Sequence, residues 1–175
     1  MIRIEKPFTG EYKPYAATYI NQLPDDSAVL QHLAANMQTI SDLIRAQSPE
    51  KLLYRYDEGK WTLKEIMIHI IDTERVFAYR GMCIARNDKT SFPGFEQDDY
   101  VAASNANDRE IESILKEYEA TRHATLAMLQ SFSQADVLKL GTANGSPVSV
   151  RALIYQIAGH ELHHLNIIRE RYINA

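Results

Sequence analysis

The chain has one cysteine, Cys83, in 175 residues. That excludes an internal disulfide framework and suits a reducing, cytoplasmic setting. Long hydrophobic runs are missing too. Ile66-Met-Ile-His-Ile-Ile71 is among the longest, far below the roughly 20 residues of a membrane-spanning helix. Met1-Ile-Arg-Ile-Glu-Lys-Pro7 shows no apolar segment of the signal-peptide kind. Positive charge is not in excess. The net charge is -4 and no Lys/Arg-rich run occurs, which argues against general affinity for nucleic acid phosphates. Internal repeats and low-complexity tracts are absent. What is there is ordinary for a globular protein: 45% apolar and 24% charged residues. The expectation is one domain over residues 1–175, with neither membrane nor nucleic acid as partner. A chain of this size buries roughly 70% of its unfolded surface, enough for a core without staples. Cys83 falls in a helical pattern and reads as a buried, inert thiol.

Residues 1–26 read as an irregular leader, because Pro7, Gly10, Pro14 and Pro24 interrupt any long helix. Its aromatics predict packing on the body, and Tyr15 to Asn21 suits a short helical turn. Ser27 is expected to open the first long helix, whose apolar positions Val29, Leu30, Leu33, Met37, Ile40, Leu43 and Ile44 recur at helical spacing. Ser48-Pro49 predicts a short capped turn. Thr62-Leu-Lys-Glu65 is a capping box opening the second long helix, Leu63 to about Arg86. Asn87 to Asp108 reads as a long polar loop, ordered by its aromatics. Asn107 or Asp108 is expected to cap the third helix, through Ile111, Tyr118 and Leu129 to about Ser131. Ser133 starts another short turn, and Gly141 to Pro147 forms a turn flanked by a few extended residues. Ser149 caps the fourth long helix. Four amphipathic helices predict an all-α four-helix bundle with long connecting loops, a fold that builds metal sites from side chains on facing helices.

Three of the six histidines lie in the last helix: His160, His163 and His164. Residues four apart share a helical face, so His160 and His164 point the same way. Leu153, Ile157, Ile167 and Ile168 lie close to that direction at 100° per residue, which makes it the core side. His163 sits about 60° from His160 and about 100° from His164, off that face. Two ligands hold a metal poorly, and a catalytic site of the zinc kind has three plus an open position. The best third candidate is His69, whose helical neighbours Ile66, Thr73 and Val76 also mark an inward face.

Several segments together resemble the DinB-like (DinB/YfiT) superfamily of metal-binding four-helix bundles. They are Gly59-Lys-Trp-Thr-Leu-Lys-Glu65 running into His69, Ile71-Asp-Thr-Glu-Arg-Val-Phe-Ala-Tyr-Arg80, Gly94-Phe-Glu-Gln-Asp-Asp-Tyr-Val101 and Gly159-His-Glu-Leu-His-His-Leu-Asn166. The resemblance spans almost the whole chain. It implies a metal triad of one histidine on the second helix and a final His-x3-His, which falls on His69, His160 and His164. It also implies one divalent metal, nickel or zinc, with an open coordination position, and thiol-dependent transfer or isomerisation among relatives. Dimeric relatives make a homodimer an expectation.

Imidazole ligands suit zinc, nickel, copper or iron. An open position beside three of them acidifies a bound water or deprotonates a bound thiol. The leading expectation is therefore a thiol S-transferase acting on a small-molecule substrate with a low-molecular-weight thiol. The alternatives are a metal-dependent hydrolase and a non-catalytic metal-binding or stress-associated protein. Around the triad, Asp72, Glu161 and His163 read equally as partners of the ligands or as helix contacts. Arg80 lies about 20° from His69 around the helix and reads as an ion-pair former or an anion binder. Glu74-Arg75 and Arg80 are expected to pair with acids of the 94–101 segment. Asp98 and Asp99 read as turn-stabilising acids or as a general base. Trp61 reads as a packing anchor.

Overall fold

The computed structural model describes residues 2–174; Met1 and Ala175, the ends of the expected domain, lie outside the described residues. Four long helices form the bundle: α2 (Val29–Arg45), α4 (Leu63–Ala85), α6 (Ile111–Gln130) and α8 (Val150–Ile167), the last continuing into a π-helical end, Ile168–Ile173. Short helices α1 (Ala17–Ile20), α3 (Pro49–Leu52), α5 (Gln97–Ala103) and α7 (Gln134–Val137) complete the helical part. Helix α4 packs against α8 and α6, while α2 packs against α6 and α8. Thus α2 and α4, consecutive in the chain, occupy diagonal corners. That is why a connection as long as residues 46–62 joins them.

Local chemistry sets the helix ends. Thr62 Oγ1 accepts from the Glu65 N–H at 3.1 Å, and Glu65 accepts from the Thr62 N–H at 2.8 Å. This reciprocal cap starts α4 seven residues before His69. Ser149 Oγ accepts from the Ala152 N–H at 3.0 Å and starts α8. Two expected caps differ. Ser27 stands at φ 58°, outside the helix, and Asp26 Oδ1 accepts from the Ala28 N–H at 2.9 Å instead. Neither Asn107 nor Asp108 caps α6, which begins after Glu110 without a side-chain cap. The Asn107 side chain instead accepts from Thr62 Oγ1 at 2.7 Å and donates to Glu65 at 2.8 Å, tying the 106–108 turn to the start of α4.

The stretch expected as a loop, Asn87 to Asp108, is more structured than its polarity suggests. It contains β1 (Ser91–Phe92), α5 and a 3-10 turn at Ala106–Asp108. Strand β1 runs parallel to β2 (Leu140–Ala143), which pairs antiparallel with β3 (Ser146–Ser149). Asn144 donates its N–H to the Phe92 carbonyl at 2.8 Å. This small sheet anchors Ser91–Phe92 beside the start of α8. Leu140 to Ser149 thus pair as the extended flanks of the expected turn. Cys83 is buried in the core, as its helical register implied.

The leader packs on the body through α1, which lies against α8. The approach is close at one point. A Cβ built on Gly159 would sit 2.2 Å from the Tyr19 carbonyl oxygen, which belongs to backbone and cannot rotate away. Gly159→Ala is therefore expected to push α1 off α8 and cost about 1–3 kcal/mol, the usual range for overpacking. Chemical denaturation checks it, and unchanged stability would refute the close approach.

Candidate metal centre

The cap at Thr62 and the cap at Ser149 fix the registers of α4 and α8, whose packing brings His69 and His160 together. Both are buried, at 3% and 5% exposure, and His164 is partly buried one turn further on. Leu153, Ile157 and Ile168 beside them are core residues, as the helical spacing implied. His160 Nε2 lies 2.8 Å from His69 Nε2 and 3.1 Å from His164 Nε2. One nitrogen from each ring falls within 4.8 Å of the other two. The three rings stand edge to face, with centroids 4.5–4.8 Å apart. Trp61 lies 4.7 Å from the His69 ring and Tyr19 5.4 Å from the His160 ring, so α1 and the start of α4 wall the cluster.

Hydrogen bonding alone leaves this arrangement unsatisfied. Each nitrogen of a neutral imidazole carries either one N–H or one lone pair, so His160 Nε2 cannot make a full hydrogen bond to both neighbours. His164 Nδ1 is buried with no partner. Burial, with neighbouring histidine charge adding to it, pushes the pKa of His69 down to about 4 and that of His164 to about 3. His160 lies well below its ordinary value for the same reasons. Three neutral, convergent, acceptor-capable rings with little solvent exposure are the donor set that a divalent transition metal requires.

A stability consequence follows for the metal-free chain. Its unfolded state protonates these rings below about pH 6.5, while folded His69 resists to about pH 4 and folded His164 to about pH 3. The unfolded state binds more protons across that window, so stability falls as pH falls through it. Each tenfold difference in proton affinity between the folded and unfolded states is worth about 1.4 kcal/mol at most. Denaturant midpoints of metal-free protein are expected to fall between pH 7 and 4, and those of metal-loaded protein at least as steeply, because the ligands must stay deprotonated to hold the ion; a flat metal-free curve would contradict this.

The side chains expected around the triad separate. Asp72 contacts Arg75 at 3.5 Å and makes no hydrogen bond to His69. Arg75 pairs with Glu117 at 2.7 Å, not with the 94–101 segment. His163 stacks edge-on against Tyr19 at 5.5 Å. Glu161 turns away from the triad into a second buried cluster absent from the sequence expectations. There Arg122, fully buried, donates to Glu74 at 2.8 Å, to the Leu33 carbonyl at 2.7 Å and to Glu161. Tyr118 donates to Glu161 at 2.6 Å. Glu74 therefore meets Arg122, not the 94–101 segment. The signal was present: Arg122 lies four residues after Tyr118 and four before Leu126, in the apolar register of α6.

Two cavities reach the triad. One, of about 360 Å³, is lined by His160, Thr73, Phe77, Arg80, Phe95 and Leu153 among others. The other, of about 320 Å³, is lined by His164, Trp61, Tyr56 and Lys60 among others. Asp98, exposed in the first turn of α5, lines both. Its neighbour Asp99 is also exposed.

Buried histidines at the meeting point of two facing helices, open to a cavity, define a helix-bundle protein with a metal-type site. Residues 31–168 match the DinB superfamily, and the chain belongs to it. It is 24% identical over 143 residues to an Oceanobacillus iheyensis protein whose name proposes a metal-dependent hydrolase, covering 80% of this chain and 81% of that one. A Geobacillus thermodenitrificans protein named in the same way is 25% identical over 138 residues, 74% of this chain and 76% of its own. In structure the chain is similar to YfiT from Bacillus subtilis, described as having an unusual four-helix bundle topology. The TM-score is 0.70 at 14% identity, over 95% of this chain and 91% of that one. No helix among the described residues is long and apolar enough to cross a membrane.

Proposed function

We propose that this chain is a metal-dependent enzyme that joins a small thiol to an electrophilic substrate, with His69, His160 and His164 as ligands of one divalent ion, nickel or zinc. The observation that carries this reading is the pair of cavities, each lined by a different triad histidine and sharing only Asp98. A two-substrate transfer needs room for two organic reactants on either side of one centre, whereas hydrolysis needs room for one. The ion would supply Lewis acidity, lowering the pKa of a thiol or water that joins it. The chain's own residues do the rest. The three neutral rings offer lone pairs without competing for protons. Trp61, Tyr19 and the core residues around them exclude bulk water. Asp98, which lines both cavities, would take the proton that the thiol gives up. The sulfur then forms a bond to the electrophilic carbon, and the leaving group departs with its bonding electrons.

A second reading is hydrolysis. The names of the two sequence relatives favour it, and Asp98 would then take a proton from water. One assay separates the two. Nickel- or zinc-loaded protein is incubated with 1-chloro-2,4-dinitrobenzene and a panel of small thiols, and separately with p-nitrophenyl esters without thiol. Thiol-dependent arylation that disappears on chelation supports transfer. Ester cleavage needing metal but no thiol supports hydrolysis, and neither activity with either metal would sink the enzymatic reading.

A further inference from the structure

The 360 Å³ cavity is lined by a buried cation that no carboxylate among the described residues reaches within ion-pair distance. Arg80 is 93% buried, since its exposure is 7%, yet among the described residues it forms no ion pair. Its guanidinium donates to the Pro93 carbonyl at 2.5 Å and sits 5.8 Å from the Phe77 ring and 5.9 Å from the Phe95 ring. Five N–H donors on one side chain leave most of them unspent. A buried charge is retained only where something pairs with it, and burial accordingly pulls the Arg80 pKa below its ordinary value. A second polar group in the same cavity is also unspent. Thr73 is 2% exposed, and its Oγ1 has no hydrogen-bond partner. Both line the cavity that His160 also lines.

The three positions on α4 are ordered. His69, Thr73 and Arg80 follow one another along the inward face, and the Cα atoms of His69 and Arg80 are about 16 Å apart along the helix axis at 1.5 Å per residue. We propose that Arg80 is a specificity-determining residue that receives the terminal carboxylate of an elongated substrate, whose middle meets Thr73 and whose reacting end lies at the histidines. The planar fork of Arg80 matches a carboxylate with two parallel hydrogen bonds. A phosphate dianion fits less well, because Glu96 and Asp98, offset only in part by Lys13, line the same cavity and oppose a second negative charge. This role for Arg80 rests on the cavity being the substrate's place, as in the proposed function, but needs neither the metal nor the thiol.

The test therefore uses full-length protein both chelator-treated and nickel-loaded. Calorimetric titration compares 4-phenylbutyrate, its neutral amide and 3-phenylpropyl phosphate. In both states the carboxylate is expected to bind at least about tenfold more tightly than the amide, the worth of a charge-assisted hydrogen bond, and no more weakly than the phosphate. Arg80→Gln keeps a donor for the Pro93 carbonyl but removes the charge. It is expected to bring acid and amide within about twofold of each other, while Arg80→Lys keeps part of the preference. Equal binding of acid and amide by the native protein overturns the proposal, even if Arg80→Gln fails to fold. So does an acid preference that survives in Arg80→Gln, one seen only with nickel present, a tenfold preference for the phosphate, or no binding of any of the three. Loss of thiol transfer with the acid preference intact would strike the proposed reaction and leave the Arg80 site standing.

Discussion

Arg122→Leu is expected to lose about 3–5 kcal/mol of folding stability, the cost of breaking a buried ion pair by removing one partner. Total stabilities of domains run to about 5–15 kcal/mol, so the variant should unfold at much lower denaturant or fail to accumulate. The geometry makes the effect large. Arg122 has no solvent exposure, and its two carboxylate partners, Glu74 and Glu161, are 2% and 1% exposed. Burial works against the Arg122 charge, but Glu161 and Glu74 outweigh it and raise its pKa well above the ordinary value. Tyr118 is raised as well, by burial first and then by Glu161. Removing the cation leaves two carboxylates in the core with one tyrosine hydroxyl and no charge partner. The reverse experiment separates charge from packing. Arg122→Leu combined with Glu74→Gln and Glu161→Gln should recover much of the loss, because uncharged side chains do not need the cation. A single variant of native stability, or a triple variant less stable than the single, would refute this account.

His160→Ala is expected to abolish metal uptake, whereas native protein is expected to take up about one divalent ion per chain. His160 is the central member of the triad: its Nε2 lies within 3.1 Å of both other rings. Losing even an outer partner of a ligand costs about 10–100-fold in affinity, and losing a ligand itself from a set of three costs more. His164→Ala should weaken binding in the same direction. Asp72→Asn should not, because Asp72 contacts Arg75 and not His69. Metal content after dialysis, with circular dichroism to verify the helices, reads the result. Stoichiometric metal in a folded His160→Ala variant would place the site elsewhere.

The parts of this protein legible in its sequence are those that depend on neighbours within one helical turn. Thr62 and Ser149 mark the starts of α4 and α8, because a capping hydroxyl meets an N–H three residues on. His160 and His164 share a face because they are four apart, and His69 was reachable from the apolar register of α4. The helical turns inside Asn87 to Asp108 were not legible, since α5 lacks a side-chain cap and packs on α4 through few apolar residues. Ser27 misled because a left-handed residue before a helix looks, in sequence, like a cap.

Tertiary structure alone decided which charges meet. Arg122 could be seen on the core face of α6, but Glu74 and Glu161 lie 48 and 39 residues away in the chain, and no local spacing selects them from 23 acidic residues. The same holds for Arg80, which meets the Pro93 carbonyl rather than a carboxylate because of how the segment after the Ser91–Phe92 strand lies against α4. The two cavities that reach the triad are likewise shapes left between packed elements. Helix periodicity and capping are short-range and written in the sequence. Ion pairing in a core and the space beside a metal site arise only when helices distant in the chain are brought into contact.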